Sequence, residues 1–432
     1  MRKPRIATIV LALLVVLPVA GAAQLAAPSA RSFGLAGSYS ARARGYEAPY
    51  WNPANLGLPG RPGWSVGIVG ANASINNNSL DYGQITDLYG EYIDDATKSK
   101  ILADIRRSNP DRMFQLGGEL GASALAVSIW RFGFGVSAIG VGDLQVSPDA
   151  AELILFGNVG EDGTGKDFDI SGNGDGSVFS NFYMSYAQPF SLSSLAGMEF
   201  SIGASVKYGI AHALVIVSDE GSTFATDPLV LNADLQVLSS NGSDAGRMWA
   251  FDLGAAMDWS NWTFSLALQN AFANVNWNVE DFDLSLYEGR ADLTEAVLTD
   301  TTIAYTDLSP EQQQQVQDRL ASADPPKRLR MGAMYRLGPK WALSADYVEL
   351  LGGTLREQWD RSLSAGAQVS LISVLPVRVG LATDFSQMAL AGGLGIYAGP
   401  LHVDLSYSTM TLAAGDGAIA SLSVSVWPGA NY

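Results

Sequence analysis

The chain has 432 residues, no cysteine, two histidines, and 26 Lys plus Arg against 43 Asp plus Glu, a formal charge of −17. Disulfides and thiolate metal sites are excluded, and so acidic a chain lacks the basic face that nucleic-acid binding requires. Beyond the N-terminus no run of about 18 apolar residues exists for a helix to cross a bilayer, whereas glycine, aromatic residues and short alternating runs abound.

Arg2, Lys3 and Arg5 precede an apolar stretch from Ile6 to Leu17, then Pro18 and the small residues Ala20-Gly21-Ala22-Ala23. This is the order of a secretory signal (1–23) cleaved near Ala23. No cysteine follows it, so lipoprotein attachment is excluded. Residues 24–62 are punctuated by Gly and Pro and read as a compact irregular segment, too long for an idle tail. Within it Asn52 precedes Pro53, which biases Asn52 to extended geometry and frees its side chain to satisfy local backbone groups. On local grounds alone the pair also suits a simple turn end.

From residue 63 onward the hydropathy alternates with period two. One example is Phe200, Ile202, Ala204, Val206 and Tyr208 against Glu199, Ser201, Gly203, Ser205 and Lys207. Strands are expected near 63–71, 119–129, 132–142, 179–189, 198–218, 247–258, 261–271, 327–337, 340–350, 359–371, 375–384, 388–397, 400–410 and 418–427. Numbering the connections alternately puts every long excursion (72–118, 143–178, 219–246 and 272–326) on one side and only short turns on the other. An even strand count with that asymmetry predicts a 14-stranded antiparallel transmembrane β-barrel over 63–432, in contact with outer-membrane lipid of a Gram-negative-type bacterium. Trp64, Trp249, Trp262, Trp341 and Tyr407 fall on apolar faces, and most lie near strand ends, as interfacial girdles do. The terminal Tyr432, with Leu422, Val424 and Val426 on its parity, resembles a barrel-assembly signal, from which Pro428 departs.

The loops carry weaker signals. In 72–118, Ile85, Leu88, Tyr89, Tyr92 and Ile93, then Ile101, Leu102 and Ile105, recur at helical spacing. Ser309-Pro310-Glu311 starts a second helix in 272–326. Asp167, Asp169, Ser171 and Asp175 alternate as calcium ligands do, with Gly172 sixth, but Val178 stands where a bidentate Glu is needed, and any solvated loop has this composition. No resident metal or cofactor is expected. His402, Asp404 and Ser406 share a face on the thirteenth strand. Residues two apart on a strand lie about 7 Å apart, too far for a direct base–nucleophile bond. No phosphate loop, zinc spacing or dinucleotide fingerprint is present, and an enzyme is not expected.

The stretch Ala43-Arg44-Gly45 followed by Asn52-Pro53-Ala54 resembles the N-terminal plug of the long-chain fatty-acid transporter family of outer-membrane barrels, and more closely its uncharacterised or shuttle-type members. The resemblance implies that 24–62 folds inside the barrel as a hatch, with Arg44, Gly45, Asn52, Pro53 and Ala54 at its motif positions. Arg42 and Arg44 are then expected to meet interior carboxylates such as Asp252, Asp346, Asp384 or Asp404. It further implies a hydrophobic, fatty-acid-like ligand that enters past the loops, through residues such as Leu88, Tyr92, Ile93, Leu102 and Ile105. Exit would be sideways at a kinked third strand, where Gly133, Gly135, Gly140 and Gly142 allow a bend; a plain small-residue interior face reads equally well there. The alternative function is a non-transporting barrel whose acidic loops bind a protein partner. A monomer is expected in either case.

Overall fold

In a computed structural model, fourteen strands close on themselves. The structure describes residues 27, 29–80, 93–107, 113–191, 197–219, 221–292, 295–323, 325–352, 360–385, 387–411 and 415–428. The strands are β1 Trp64–Asn77, β2 Phe114–Ile129, β3 Phe132–Val146, β4 Gly172–Ser191, β5 Met198–Asp219, β6 Gly246–Trp259 and β7 Trp262–Trp277. They continue with β8 Arg328–Leu337, β9 Trp341–Leu350, β10 Arg361–Ile372, β11 Leu375–Thr383, β12 Met388–Ala398, β13 Leu401–Thr411 and β14 Asp416–Val426. Each pairs antiparallel with its sequence neighbours, and β1 pairs with β14 from Val66↔Val426 to Asn76↔Gly417, which leaves no open edge.

Period two sorts the side chains. Outward positions carry Trp64, Phe132, Met184, Ile202, Leu253, Leu266, Leu343, Leu381, Leu394 and Leu405, all exposed, while inward positions are rich in Ser, Gly, Asn, Ala and charged residues, with Ile139, Phe179 and Leu214 toward the looped end. No helix among the described residues is long and apolar enough to cross a membrane. An apolar band on the outside of a closed barrel is the arrangement that lipid contact demands, since every backbone group is paired within the wall. At one end the turns are short (130–131, 260–261, 338–340, 373–374 and 399–400); at the other lie all the long connections, 78–113, 147–171, 220–245 and 278–327.

The wall is uneven in height. β4 and β5 run 20 and 22 residues, roughly twice the length that crossing a bilayer takes, and their upper halves stand beyond it on the loop side. On that extension the loops build structure that local sequence reading leaves as coil. Leu229–Ser240 pairs with β5, Phe282–Asp292 pairs with Leu229–Ser240, and Ala296–Ala304 pairs with Phe282–Asp292. Among the described residues the loops carry α1 Asp95–Arg107, α2 Pro148–Phe156 and α3 Pro310–Ser322, the last closed by a Ser309–Gln312 capping box. Leu238, Phe282, Leu284, Leu308, Val316 and Leu320 from these loops join Phe179 and Leu214 of β4 and β5 in one buried apolar cluster over the mouth.

β3, the strand expected to bend, is paired without interruption to β4, from Phe132↔Tyr186 to Val146↔Gly172. Its pairing with β2 shifts register between Ala124↔Val136 and Val127↔Phe134, opposite Gly135, where Leu125 of β2 takes φ 52°.

Candidate functional site

Residues 29–62 lie inside the barrel, toward its short-turn end, and almost every side chain is buried. They enter as a short helical turn, Ala30–Phe33, capped by Ser29, whose hydroxyl accepts from Arg31 N at 3.2 Å. The turn aims Arg31 at the wall. Its Nε donates to Asp404 Oδ2 of β13 at 2.8 Å, and Arg378 Nη1 of β11 donates to Asp404 Oδ1 at 2.8 Å. Glu47 Oε1 stands 3.7 Å from Arg31 Nη1, and the Tyr39 hydroxyl donates to Glu47 Oε2 at 2.7 Å. Arg31 Nη2 also meets His402 Nδ1 at 2.8 Å. A guanidinium only donates, so that His402 nitrogen accepts. Burial, with Glu47 alongside, pushes the Tyr39 hydroxyl well up, so it stays a neutral donor to that carboxylate.

Two further anchors hold the segment. Asp346 Oδ2 of β9 accepts from the backbone N–H of Tyr39 at 3.1 Å and of Ser40 at 2.7 Å. Asn52 docks the other end: Nδ2 donates to Ala255 O at 2.9 Å, Leu266 O at 3.2 Å and Ser265 Oγ at 2.7 Å, while Oδ1 accepts from Ala54 N at 2.9 Å. Asn52 therefore caps the 3₁₀ turn Pro53–Gly57 and bridges it to β6 and β7. Gln269 Nε2 donates to Tyr50 O at 2.6 Å, and Arg330, bonded to Gln269, lies over the Trp51 ring at 4.7 Å.

The inward glycines of the wall are where the segment's own atoms sit. A Cβ on Gly203 would lie 2.5 Å from Ala54 N and from Pro53 C, one on Gly133 would lie 2.6 Å from Pro49 Cγ, and one on Gly380 would overlap the Leu35 backbone. Gly133 is thus accounted for by seating the plug, and Gly135 by leaving room for the Tyr183 hydroxyl, while Gly140 and Gly142 share the outward parity of Phe132 and Phe134. Gly45 takes φ +54°, a conformation that L side chains rarely adopt, with Ser65 pressed against its α-carbon. Gly203→Val is expected to expel the Asn52–Gly57 turn at a cost of about 1–3 kcal/mol. Limited proteolysis checks this: the variant should be cut within residues 29–62 under conditions that leave the parent protein intact.

The arginine pairing differs in detail from expectation. Arg31, not Arg42, takes Asp404; Arg44 lies 3.8 Å from Asp258 and donates to the Ala41 and Ala43 carbonyls at 3.0 and 2.9 Å. Burial lowers Arg42 to about 10, which leaves it charged at neutral pH. Asp252 is paired with Lys207 at 2.7 Å, both fully buried, and Asp384 accepts from Gln387 N at 2.7 Å. Arg31 and Glu47 carry no local sequence signal for these roles, because their partners are distant in the chain.

A groove of about 1000 Å³ runs across β13, β14, β1, β2 and β3. Its lining comes in triplets (71–73, 120–122, 138–140, 405–407 and 420–422); the flanking Leu120, Leu405, Tyr407 and Leu422 are exposed on the outward face, whereas the inward Asn72, Ile139, Ser406 and Ser421 are buried, so the groove opens on the outside of the wall. The plug's wall contacts, Ser65, Gly133, Asp404 and Ser423, lie on the short-turn side of these positions. Ile139 faces inward and joins the apolar cluster beneath the loops.

The other candidates fall elsewhere. Leu102 and Ile105 of α1 are buried against α2 with Ile101 and Ala151, helix on helix; Ile93 is half-buried just before α1. Leu88 and Tyr92 lie outside the described residues, as do residues 1–23 and Tyr432. Of the calcium candidates, Asp169 caps Ser171 N at 2.9 Å, and β4 begins at Gly172, so its extended backbone carries Asp175 away from any curl around an ion. No cluster of three or more metal-ligating side chains occurs among the described residues. Of the trio on β13, Asp404 is taken up by two arginines and His402 by one, while the Ser406 hydroxyl is buried without a partner.

No family model matches the chain, and no curated protein matches it. Solved structures similar to it include a Pseudomonas aeruginosa FadL homologue (12% identity, 95% of this chain and 99% of that chain, TM-score 0.46). Others are the P. putida toluene transporter TodX (12%, 92% and 98%, TM-score 0.47) and the Ralstonia pickettii toluene transporter TbuX (13%, 92% and 97%, TM-score 0.47).

Proposed function

We propose that this chain is an outer-membrane barrel that binds hydrophobic small molecules in its lumen and passes them inward, with residues 29–62 as the plug that must yield for passage. One observation carries the reading: residues 29–62 form a separate plug seated in the bore by side-chain anchors, beneath an apolar cluster of loop residues over the mouth. An apolar cluster of this kind suits molecules that leave water readily. A barrel serving only as a protein-docking platform has no use for a separately seated plug. The test is saturable binding of a fluorescent hydrophobic probe to the purified, detergent-solubilised protein. One site per barrel is expected, weakened when Ile139→Asn sets a polar group into that cluster. Unsaturable partitioning that Ile139→Asn leaves unchanged would overturn the reading.

A further inference from the structure

The barrel wall has no open edge, but the sheet that the loops build on it does. Ala296–Ala304 pairs antiparallel with Phe282–Asp292, from Asp283↔Ala304 to Ala291↔Ala296, and among the described residues it pairs with no other strand. Two hydrogen bonds set the phase of this ladder. Asp292 N donates to Glu295 O at 2.7 Å, and on the far side of Phe282–Asp292 the Asn241 N donates to Asp281 O at 2.6 Å. Bonded pairs alternate along an antiparallel ladder, so Val297, Thr299, Thr301 and Ile303 bond to Phe282–Asp292. The N–H and C=O groups of Leu298, Asp300 and Thr302 therefore point out to the free edge. Val297 to Thr302 are all exposed.

Native edge strands are usually blunted by lysine, proline or a bulge, because a bare row of N–H and C=O groups invites another strand. None of these devices is present here. The register with Phe282–Asp292 runs without a shift, and no lysine or proline occurs from Phe282 to Asp307. The charge around the edge is one-sided. Asp283, Glu288, Asp292, Glu295, Asp300 and Asp307 stand against Arg290 alone, whose Nε lies 3.9 Å from Asp292. A second copy of this edge would bring like charges together across the new pairing, which is unfavourable. An extended segment carrying Lys or Arg satisfies both features, since its backbone completes the open row and its cations meet the carboxylates.

We propose that Ala296–Ala304 is a docking edge for an extended, basic segment of a partner polypeptide, which adds to the loop sheet as a further strand. Main-chain bonds to Leu298, Asp300 and Thr302 give the attachment. Period two places Asp300 on one face of the sheet, while Glu288, the register partner of Thr299, lies on the other, so cations on either face of the added strand find an acidic neighbour. The edge stands on the loop side, clear of the barrel bore, and the inference is independent of the lumen-binding reading.

Fluorescence anisotropy on the full barrel in non-ionic detergent tests this, using a labelled nine-residue peptide that alternates Lys with Val and Thr and matches the strand in length. Saturable binding of one peptide per barrel is expected. Two altered peptides should each bind roughly tenfold more weakly, one with Glu for every Lys and one N-methylated along its backbone with all side chains kept. Leu298→Pro removes an outward N–H without breaking a bond to Phe282–Asp292, and it should weaken the Lys peptide by about the same factor. Heat-modifiable migration reports that the variant barrel is folded, and the N-methylated peptide puts the same question to the unaltered protein. Absence of binding by the Lys peptide overturns the proposal. So does binding that N-methylation, the Glu exchange or Leu298→Pro leaves undiminished. A parent barrel that dimerises unaided and becomes monomeric on Leu298→Pro would make a second copy the occupant and overturn it as well.

Discussion

Asp404→Ala is expected to destabilise the barrel by about 3–5 kcal/mol and to release the N-terminal turn of the plug. Asp404 is fully buried and is the common acceptor of Arg31 from the plug and Arg378 from β11, each at 2.8 Å. Tyr397 adds a third hydrogen bond at 3.2 Å. Removing the carboxylate strands two guanidinium groups in a desolvated space, and that uncompensated charge costs far more than the pair contributes when intact. Glu47, 3.7 Å from Arg31, is placed to recover only part of it. Denaturant unfolding from lipid vesicles gives the magnitude, and protease cleavage within 29–62 gives the release. Arg31→Leu with Arg378→Leu in the Asp404→Leu background should regain much of the loss, because the stranded charges are then gone. A single Asp404→Ala variant that unfolds with its parent and stays protected would remove the ion pair from any account of how the plug is held.

Leu253→Arg is expected to cost about 2–4 kcal/mol by the opposite route, placing a charge where only lipid can meet it. Leu253 is 47% exposed on the outward face of β6, between Trp249 and Trp259 toward the two ends of the strand. On a water-soluble barrel, arginine at so exposed a position would cost little. Unfolding from vesicles therefore reads membrane contact directly. A loss under 1 kcal/mol would argue that this face does not meet hydrocarbon.

The fourteen strands and their sidedness were legible because both are local or countable. Alternation such as Phe200 to Tyr208 against Glu199 to Lys207 fixes which faces oppose, and short and long connections must alternate ends in any up-and-down barrel. Glycine on β3 was legible as a residue but not as a cause. The same sequence serves a bend or a close approach; Pro49 and Tyr183 approach Gly133 and Gly135, and the β2 register shift lies opposite Gly135 as well. The calcium-like spacing from Asp167 to Asp175 carries a related ambiguity: oxygen ligands at alternate positions also describe the start of a strand, and β4 begins within it. The helical stripe Ile101, Leu102 and Ile105 was real, but a stripe cannot say whether it faces a ligand or another helix.

By itself, then, the sequence determined the wall: period-two polarity, an even strand count, one looped end, and an N-terminal segment unlike the rest. Tertiary structure alone decided what fills it. Arg31 meets Asp404 across 373 residues, Asn52 meets Ser265 across 213, and the polar row from Ser406 to Asn72 exists only once β1 closes against β14. Inward serines, asparagines and arginines look alike along a strand, since any of them suits a polar interior. Which of them hold the plug depends on contacts between segments that carry no trace of one another in local sequence.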